Sequence, residues 1–253
     1  MSTVLTQKCP IDGDHLQRAS AYLAQFGITH FFYGITTKVM IPSLHQFKKL
    51  RRRLPQEMIQ AKCGVYSSDA ILTFRHHYLQ HFAATDEAYF NKHPLGLSVW
   101  QDPDLSGAKG EQFARLLEDY QIRSRGVWHL PIRQHPDWLA AFVFFSDLDR
   151  ATLLANLSAN EADIGHHLAL YAALFNEQCI ARLNPIANFS CLSERALAIL
   201  RLTAEGNSSE EVAEQLSLTE SGVNYHLDRI KELLNARNRA QLISMAHTMG
   251  LLD

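Results

Sequence analysis

A stretch near the end of the chain decides the fold of the part that contains it: residues 192–252 read LSERALAILRLTAEGNSSEEVAEQLSLTESGVNYHLDRIKELLNARNRAQLISMAHTMGLL. Apolar residues at helical spacing alternate with start and stop signals, and this pattern predicts four short helices. Ser193 is placed to cap the first helix, and Gly206 follows its last turn. Ser208 and Glu211 have the spacing of a capping box at the start of the second helix.

Only Ser217 and Leu218 separate the second helix from the third, which Thr219 is placed to cap. The apolar residues of the third helix fall on one face, at steps of four, three and four, and are Val223, Leu227, Ile230 and Leu234. Two helices joined by so short a turn predict a helix-turn-helix, in which the second of the two is the recognition helix. The alternative is a small helical bundle with an ordinary solvated face.

The free face of the third helix carries polar groups near its N-terminal half, where a recognition helix meets base edges. These groups are Glu220, Ser221, Asn224 and Asp228. Asn can bond adenine through both amide atoms, and Asp can accept a hydrogen bond from cytosine. Basic residues follow toward the end of the helix and in the next turn, namely Arg229, Lys231, Arg237 and Arg239. Their charges predict contacts with phosphates.

Residues 192–252 resemble the C-terminal DNA-binding domain of LuxR-type transcription factors. The residues that carry the resemblance are Thr203-Ala204-Glu205-Gly206, Val223-Asn224-Tyr225-His226, Leu234-Asn235-Ala236 and Gly250-Leu251-Leu252. The resemblance implies that the third helix enters the major groove and that the fourth, at about residues 239–249, pairs two copies on a two-fold site. It thus implies a homodimer bound to double-stranded promoter DNA, with RNA polymerase as a further partner.

Within this resemblance the expected DNA-binding residues are Thr219, Ser221, Asn224, Tyr225, Asp228, Arg229, Lys231, Arg237 and Arg239. Three positions depart from the family pattern. Asp228 lies where relatives often carry a basic side chain, Ala196 replaces a Glu that braces the module, and Gly222 replaces a Thr that would meet the DNA backbone. These departures put the affinity for DNA in question more than the fold.

The composition of the 253-residue chain is that of a globular protein, with 47% hydrophobic residues and a formal net charge of -2. Because the chain as a whole is not basic, binding to DNA must come from a local patch of charge. The four cysteines have no short metal-binding spacing, and neither a signal peptide nor an apolar run long enough for a membrane span is recognisable. These features predict a cytoplasmic protein with reduced thiols and no membrane contact.

The N-terminal part alternates between helical and strand patterns. Helices are predicted at residues 12–26, 71–82, 112–120 and 160–183, and strands at 28–41, 127–132 and 139–145. Strands bracketed by helices predict an α/β domain built as an α-β-α sandwich, followed by the all-α, four-helix helix-turn-helix domain. The predicted boundaries are 1–183 for a signal-binding domain, 184–190 for a linker and 191–253 for the DNA-binding domain.

The N-terminal part resembles, more weakly, the signal-binding domain with which LuxR-type relatives enclose acyl-homoserine lactones. The family's marker positions correspond here to Phe74, Tyr78, Asp86 with Glu87, Trp100 and Gly126. The ligand-binding residues expected from this resemblance are Phe74, Tyr78, Asp86, Trp100 and Gly126. Asp86 would accept a bond from the ligand's amide N–H, and Tyr78 would donate to its acyl carbonyl. Trp100 would cover the head group with its large apolar surface.

Phe74 is the main departure in this set, because relatives place there a Trp whose indole N–H binds the lactone carbonyl, and Phe has no donor. Losing one such partner costs about 1 to 3 kcal/mol when a buried carbonyl is left unpaired. The expected ligand is an acyl-homoserine lactone or a related small amphipathic molecule, and no other cofactor is expected. Two alternatives stay open: these aromatic residues are ordinary core, or the protein is an orphan regulator that responds to a non-lactone signal or to none.

Two other classes of protein are weighed against a regulator of this kind. His77 and His81 lie one helical turn apart and could share a metal, but no Glu lies between them in the metalloprotease arrangement and no third ligand is evident. A phosphorylated response regulator would need acidic residues at the first strand, and residues 28–41 contain no Asp. The resemblance therefore implies a quorum-sensing type of DNA-binding regulator, for which we expect no catalytic or metal-binding residues, and a metal-dependent enzyme is a remote alternative.

Overall fold

The N-terminal part of the protein is built on a mixed β-sheet. The structure, a computed structural model, describes residues 7–37, 62–82, 95–101, 107–133, 138–188 and 191–252. Its strands are β1 (Gln7–Lys8), β2 (His30–Thr37), β3 (Cys63–Tyr66), β4 (Gly96–Val99), β5 (Ser124–Pro131) and β6 (Trp138–Ser146). Their order in the sheet is β1-β3-β2-β6-β5-β4. Strand β1 runs parallel to β3, and the other neighbouring pairs are antiparallel.

Helices cover both faces of this sheet. They are α1 (Gly13–Ala24), α2 (Asp69–His81), α3 (Ala108–Asp119), α4 (Arg150–Ala159) and α5 (Glu161–Leu183). On one face α1, α4 and α5 share a core with Trp128 and Phe142, and on the other α2 and α3 share a core with Val127 and Val143. The predicted α-β-α sandwich is therefore confirmed. Within the described ranges, no helix has both the length and the apolar character needed to cross a membrane.

Strand β6 explains why the sheet is covered on both faces. All of its residues, WLAAFVFFS, are buried. A strand that is apolar on both sides cannot leave either face in water, and successive side chains point to opposite faces. Phe142 and Phe144 accordingly join the core under α1, α4 and α5, whereas Val143 and Phe145 join the core under α2 and α3.

The C-terminal part is all helical. After α6 (Pro185–Asn188) come α7 (Glu194–Ala204), α8 (Ser209–Gln215), α9 (Glu220–Leu234) and α10 (Arg239–Thr248). The predicted caps are present: Ser193 Oγ accepts from the Ala196 N–H at 3.2 Å, and Ser208 and Glu211 form the capping box. The Ser208 backbone N–H and hydroxyl hold the pKa of the Glu211 carboxyl below its ordinary value. The prediction of four short helices with a helix-turn-helix is confirmed.

Some elements were not predicted from the sequence pattern. Strands β1, β3 and β4 contain two, four and four residues, which is too short to display a period of two. Helix α4 was missed because it buries only Leu153 and Leu157, although Asp149 caps it by accepting from the N–H groups of Ala151 and Thr152, each at 3.0 Å. Strand β5 also begins earlier than predicted, at Ser124.

Helix α6 occupies most of the stretch that was predicted as a linker, and buried amide side chains fix it. Asn184 is fully buried, and its Nδ2 donates to the carbonyl oxygen of Met249 after α10. Asn188 binds β3 twice: its Oδ1 accepts from the Cys63 N–H at 2.8 Å, and its Nδ2 donates to the Cys63 carbonyl at 2.9 Å. The segment therefore contacts the sheet at one end and the residue after the last helix at the other.

Candidate nucleic-acid interface and ligand cavity

Helix α9 presents a polar face, here called the reading face, that consists of Ser221, Asn224, Tyr225 and Asp228. All four residues are exposed, and the Tyr225 side chain has 62% of its surface in solvent. The opposite side of the helix is buried through the four apolar residues at the predicted steps, Val223, Leu227, Ile230 and Leu234. Amide, hydroxyl and carboxylate groups on one exposed helix face can bond base edges and phosphates.

The two ends of α9 are fixed by local interactions. Thr219 Oγ1 accepts from the Gly222 N–H at 3.0 Å, so this predicted DNA-contacting residue also acts as the N-cap. Asn235 ends the helix in the left-handed conformation, with φ of 55°. The helix thus starts at a defined position directly after the short turn that follows α8, and its positive N-terminal end favours a nearby anion such as a phosphate.

A chain of hydrogen bonds connects the reading face to α10. Ser209 Oγ donates to Asn224 Oδ1 at 2.8 Å, and Arg239 Nη1 donates to Ser209 Oγ at 3.3 Å. Arg239 Nη2 also donates to the Asn207 carbonyl at 2.9 Å. Arg239, which was predicted as a phosphate contact, therefore binds protein atoms in this structure. Ser209 and Asn207 were not predicted. The signal that could have found them is the SSEE run of residues 208–211, which contains Ser209 and directly follows Asn207.

The other predicted basic residues lie near the exposed end of α9. Arg229 pairs with Glu232 at 3.1 Å, and Lys231 pairs with Asp228 at 2.7 Å. Exposed ion pairs of this type contribute about 0 to 1 kcal/mol, so either cation can exchange its carboxylate for a phosphate. Arg237 is exposed in the turn before α10. The pairing of Asp228 with Lys231 also gives this departure from the family pattern a partner within the protein.

A second candidate site is a cavity between the sheet and α2, here called the aromatic cavity. It is lined by Phe32, Phe74, Arg75, Tyr78, Trp100, Arg125, Val143 and Phe145. Three of the predicted ligand-binding residues, Phe74, Tyr78 and Trp100, therefore face one space. Asp86 lies outside the described residues. The ligand-binding role of all these residues stays a prediction.

Gly126 does not line the aromatic cavity. It lies inside β5, paired with Val99 of β4 and with Phe144 of β6. A Cβ atom at this position would be 2.6 Å from the Ser98 carbonyl oxygen and 2.4 Å from Cζ of Phe144. The close approach of neighbouring strands and of one ring therefore accounts for a glycine here.

Two buried arginines belong to the cavity wall and were not predicted. Arg125, only 2% exposed, places its guanidinium carbon 5.3 Å from the ring centre of Tyr78 and 5.6 Å from that of Trp100. Arg75 lies over the ring of Phe32 at 4.6 Å. A guanidinium at these distances is attracted to an aromatic face. Arg125 directly precedes the predicted residue Gly126, but its position in an apolar strand does not indicate which aromatic rings it contacts.

The aromatic cavity is small in this structure, with a volume of about 20 Å³. Such a volume holds roughly one water molecule. The Phe74 ring fills its side of the space by packing edge-on against Tyr120 and Phe145, at centroid distances of 5.3 and 5.2 Å. A ligand with an acyl chain can enter only if parts of this wall move apart.

The histidines considered for a metal site lie on the outside of α2. His77 and His81 are both exposed, with ring centroids 6.2 Å apart. Catalytic zinc sites use three protein ligands, and these two histidines supply at most two. Among the residues that the structure describes, no group of three or more His, Cys, Asp and Glu side chains is arranged to hold a metal ion.

The helix-turn-helix is similar in sequence to known bacterial regulators. Residues 190–246 match the model of the bacterial regulatory proteins, luxR family. The chain is 40% identical over 70 residues to the regulatory protein SdiA of Escherichia coli strain K12, a match that covers 28% of this chain and 28% of that protein. It is 40% identical over 67 residues to the HTH-type quorum-sensing regulator RhlR of Pseudomonas aeruginosa, which covers 26% of this chain and 28% of RhlR.

The curated relatives are thus matched over little more than a quarter of their length, and both are named as regulators rather than enzymes. A crystal structure of Escherichia coli SdiA aligns with 95% of this chain and 91% of its own, at 19% identity and a TM-score of 0.43. The family match, the capped helices and the short turn before α9 agree with one another. Residues 190–246 are a LuxR-type helix-turn-helix domain.

Proposed function

We propose that the protein is a transcriptional regulator of the LuxR type that binds promoter DNA through the reading face of α9. The observation that supports this most strongly is the position of that face: an exposed polar surface on a helix with fixed ends, inside the segment that matches the luxR family. Asn224 is the central base-reading side chain in this proposal, and Arg229, Lys231 and Arg237 hold phosphates. The binding species is a homodimer on a two-fold site, paired through α10.

The experiment that tests DNA binding is selection of a binding site from random duplexes with the full-length protein, followed by anisotropy titration of the selected duplex at fixed salt concentration. Asn224→Ala is expected to weaken binding by about 1 to 3 kcal/mol and to relax sequence preference. Tyr225→Ala is expected to weaken binding without loss of stability, because the ring is 62% exposed. Leu170→Ala is the matched control, since this side chain is 51% exposed on α5. Equal affinities for all four proteins would contradict the assignment of the reading face.

The N-terminal part, residues 1–183 in our proposal, senses a small amphipathic molecule in the aromatic cavity, and residues 184–190 connect it to the DNA-binding domain at 191–253. Support comes from three side chains expected at a signal pocket, Phe74, Tyr78 and Trp100, which line one cavity. Acyl-homoserine lactones are the first ligand class to test, and RNA polymerase is the expected protein partner at the promoter. A ligand acts by binding one conformation of the pair of DNA-binding domains better than another.

Thermal melting of the purified protein with a panel of acyl-homoserine lactones and unrelated amphiphiles tests the sensing proposal. A ligand at a hundred times its dissociation constant stabilises the folded state by about 2.7 kcal/mol, which moves the melting midpoint of a protein of this size by several degrees. Tyr78→Phe keeps the ring and removes the hydroxyl, so the shift should become smaller. No shift with any compound, while the protein still binds DNA, would favour the orphan regulator that needs no ligand.

A further inference from the structure

Three of the four cysteines lie together where β1, β3 and α5 meet. Cys9 Sγ and Cys63 Sγ are 2.6 Å apart, although the two residues are 54 positions apart in the sequence. Cys179 of α5 lies beside this pair, with its thiol directed at the Pro10 carbonyl at 3.7 Å. All three are free thiols in the structure. The two facing sulfur atoms are positioned so that a covalent bond between them requires little movement of either strand.

The surroundings of the pair make its two thiols unequal. A hydrogen bond joins the two thiols and the Arg182 guanidinium lies close to Cys63, so the pKa of Cys63 is lowered. The same hydrogen bond, together with burial, raises the pKa of Cys9, and burial raises the pKa of Cys179. The thiolate is the reactive form of cysteine. Because the positive charge of Arg182 lies beside Cys63, we assign Cys63 as the thiol that reacts first and Cys9 as its partner.

We propose that Cys9 and Cys63 form a reversible dithiol–disulfide site that is oxidised by peroxides. The Cys63 thiolate attacks a peroxide oxygen, which breaks the O–O bond, forms a sulfenic acid on Cys63 and releases hydroxide. The Cys9 sulfur then attacks the Cys63 sulfur, and the S–O bond breaks to release water as the disulfide forms. In total two thiols and one hydrogen peroxide give one disulfide and two waters, and an external dithiol reverses the reaction. Cys9 and Cys63 retain 6% and 7% exposure, which favours them over Cys179 at 2%.

The site lies next to the contacts that join the sheet to the helical part. The backbone N–H and carbonyl of Cys63 are the two groups bound by Asn188 of α6. The preceding residue, Lys62, pairs through Nζ with Glu194 of α7 at 2.5 Å. A disulfide would fix β1 covalently to the residue that carries these contacts. Oxidation of these two thiols depends neither on DNA binding nor on signal sensing.

Peptide mapping of the full-length protein tests the site directly. Trypsin places each cysteine on its own peptide, at residues 9–18, 63–75, 151–182 and 183–195. The reduced protein is treated with stoichiometric hydrogen peroxide, and remaining thiols are alkylated in denaturant before digestion. The expected result is a fall from four free thiols to two, a cross-linked species of peptides 9–18 and 63–75, and full recovery of the thiols with dithiothreitol.

Three variants sharpen the test. Cys63→Ser should retain three thiols after the treatment, because it lacks the thiol that attacks the peroxide. Cys9→Ser should form no disulfide between these two peptides and should carry a sulfenic acid on Cys63, which dimedone traps. Cys179→Ser is the matched control and should fall from three thiols to one. The proposal is overturned if the wild-type protein keeps its four thiols, if the cross-link includes peptide 151–182 or 183–195, or if Cys63 proceeds to sulfinic acid without a disulfide. The wild-type peptide map decides between these results even if a variant fails to fold.

Discussion

Replacing Gly126 by Ala tests whether strand packing, rather than a ligand, requires glycine at this position. The added Cβ would lie 2.4 Å from Cζ of Phe144 and 2.6 Å from the Ser98 carbonyl oxygen, and both distances are far inside van der Waals contact. The Phe144 ring is 2% exposed and has little space to rotate. The Ser98 carbonyl belongs to β4, which pairs with β5, so it can move only if the strands separate.

The size of the effect follows from these two contacts. Insertion of a carbon into a packed core typically destabilises by about 1 to 3 kcal/mol. Since one of the two atoms that the new Cβ would overlap is a backbone oxygen, we expect the free energy of unfolding to fall by an amount near the upper end of this range. For a protein of about this length, 1 kcal/mol corresponds to roughly 2 to 4 °C in the melting midpoint, so the variant should melt up to about 12 °C below wild type.

Circular dichroism melts of the ligand-free protein measure this difference. Gly13→Ala is the matched control: it makes the same chemical change at the start of α1, where a Cβ would meet no atom within 4 Å. This control should equal wild type or exceed it by about 0.4 to 1 kcal/mol, because alanine restricts the unfolded chain more than glycine. If Gly126→Ala melts at the wild-type midpoint, the packing explanation is refuted and Gly126 is again a candidate ligand contact.

Three further changes have expected outcomes. Phe74→Trp should lower the free energy of unfolding by about 1 to 3 kcal/mol in urea titrations, because a cavity of about 20 Å³ leaves little room for an indole ring. Unchanged stability would mean that the side chains around the cavity rearrange at little cost. Asn184→Ala should cost about 1 to 3 kcal/mol in the same assay, since it removes a fully buried amide and leaves the Met249 carbonyl without its donor. A neutral result would argue against the contact. Asp149→Asn tests a pH effect. The backbone N–H and hydroxyl of Thr152 lower the pKa of the Asp149 carboxyl. The charged carboxylate therefore stabilises the fold above the ordinary carboxyl pKa of about 4, and this stabilisation is lost as the pH falls through the lowered pKa. The melting difference between wild type and this variant should therefore shrink in acid, and a constant difference from pH 7 to pH 3 would contradict it.

The helix-turn-helix could be predicted from the sequence because its signals are local. Ser193, Ser208 and Thr219 each cap a helix within three residues of their own position, and the apolar steps of α9 need no information from elsewhere in the chain. The fourth helix and the short turn follow from the same kind of pattern. Local hydrogen bonds and local periodicity decide this part of the fold.

The N-terminal part could be predicted only in outline. Strand β6 was recognisable from its apolar run, but β1 and β3 are short and owe their place to pairing between residues that lie far apart in the sequence. The cavity illustrates the same limit. Phe74 and Tyr78 were expected from the family resemblance, whereas Phe32, Arg125 and Val143 reach the cavity from three different strands, and no pattern in the sequence brings them together.

The hydrogen bond from Ser209 to Asn224 has a consequence for the entropy of recognition. A side chain that becomes ordered only on binding opposes association by about 0.5 to 1.5 kcal/mol. The amide of Asn224 is already oriented in the free protein, because Ser209 holds its Oδ1 at 2.8 Å and Arg239 in turn donates to Ser209. Folding has therefore removed this rotational freedom before any partner arrives, and a partner that matches the fixed direction of the amide is favoured over one that requires it to turn.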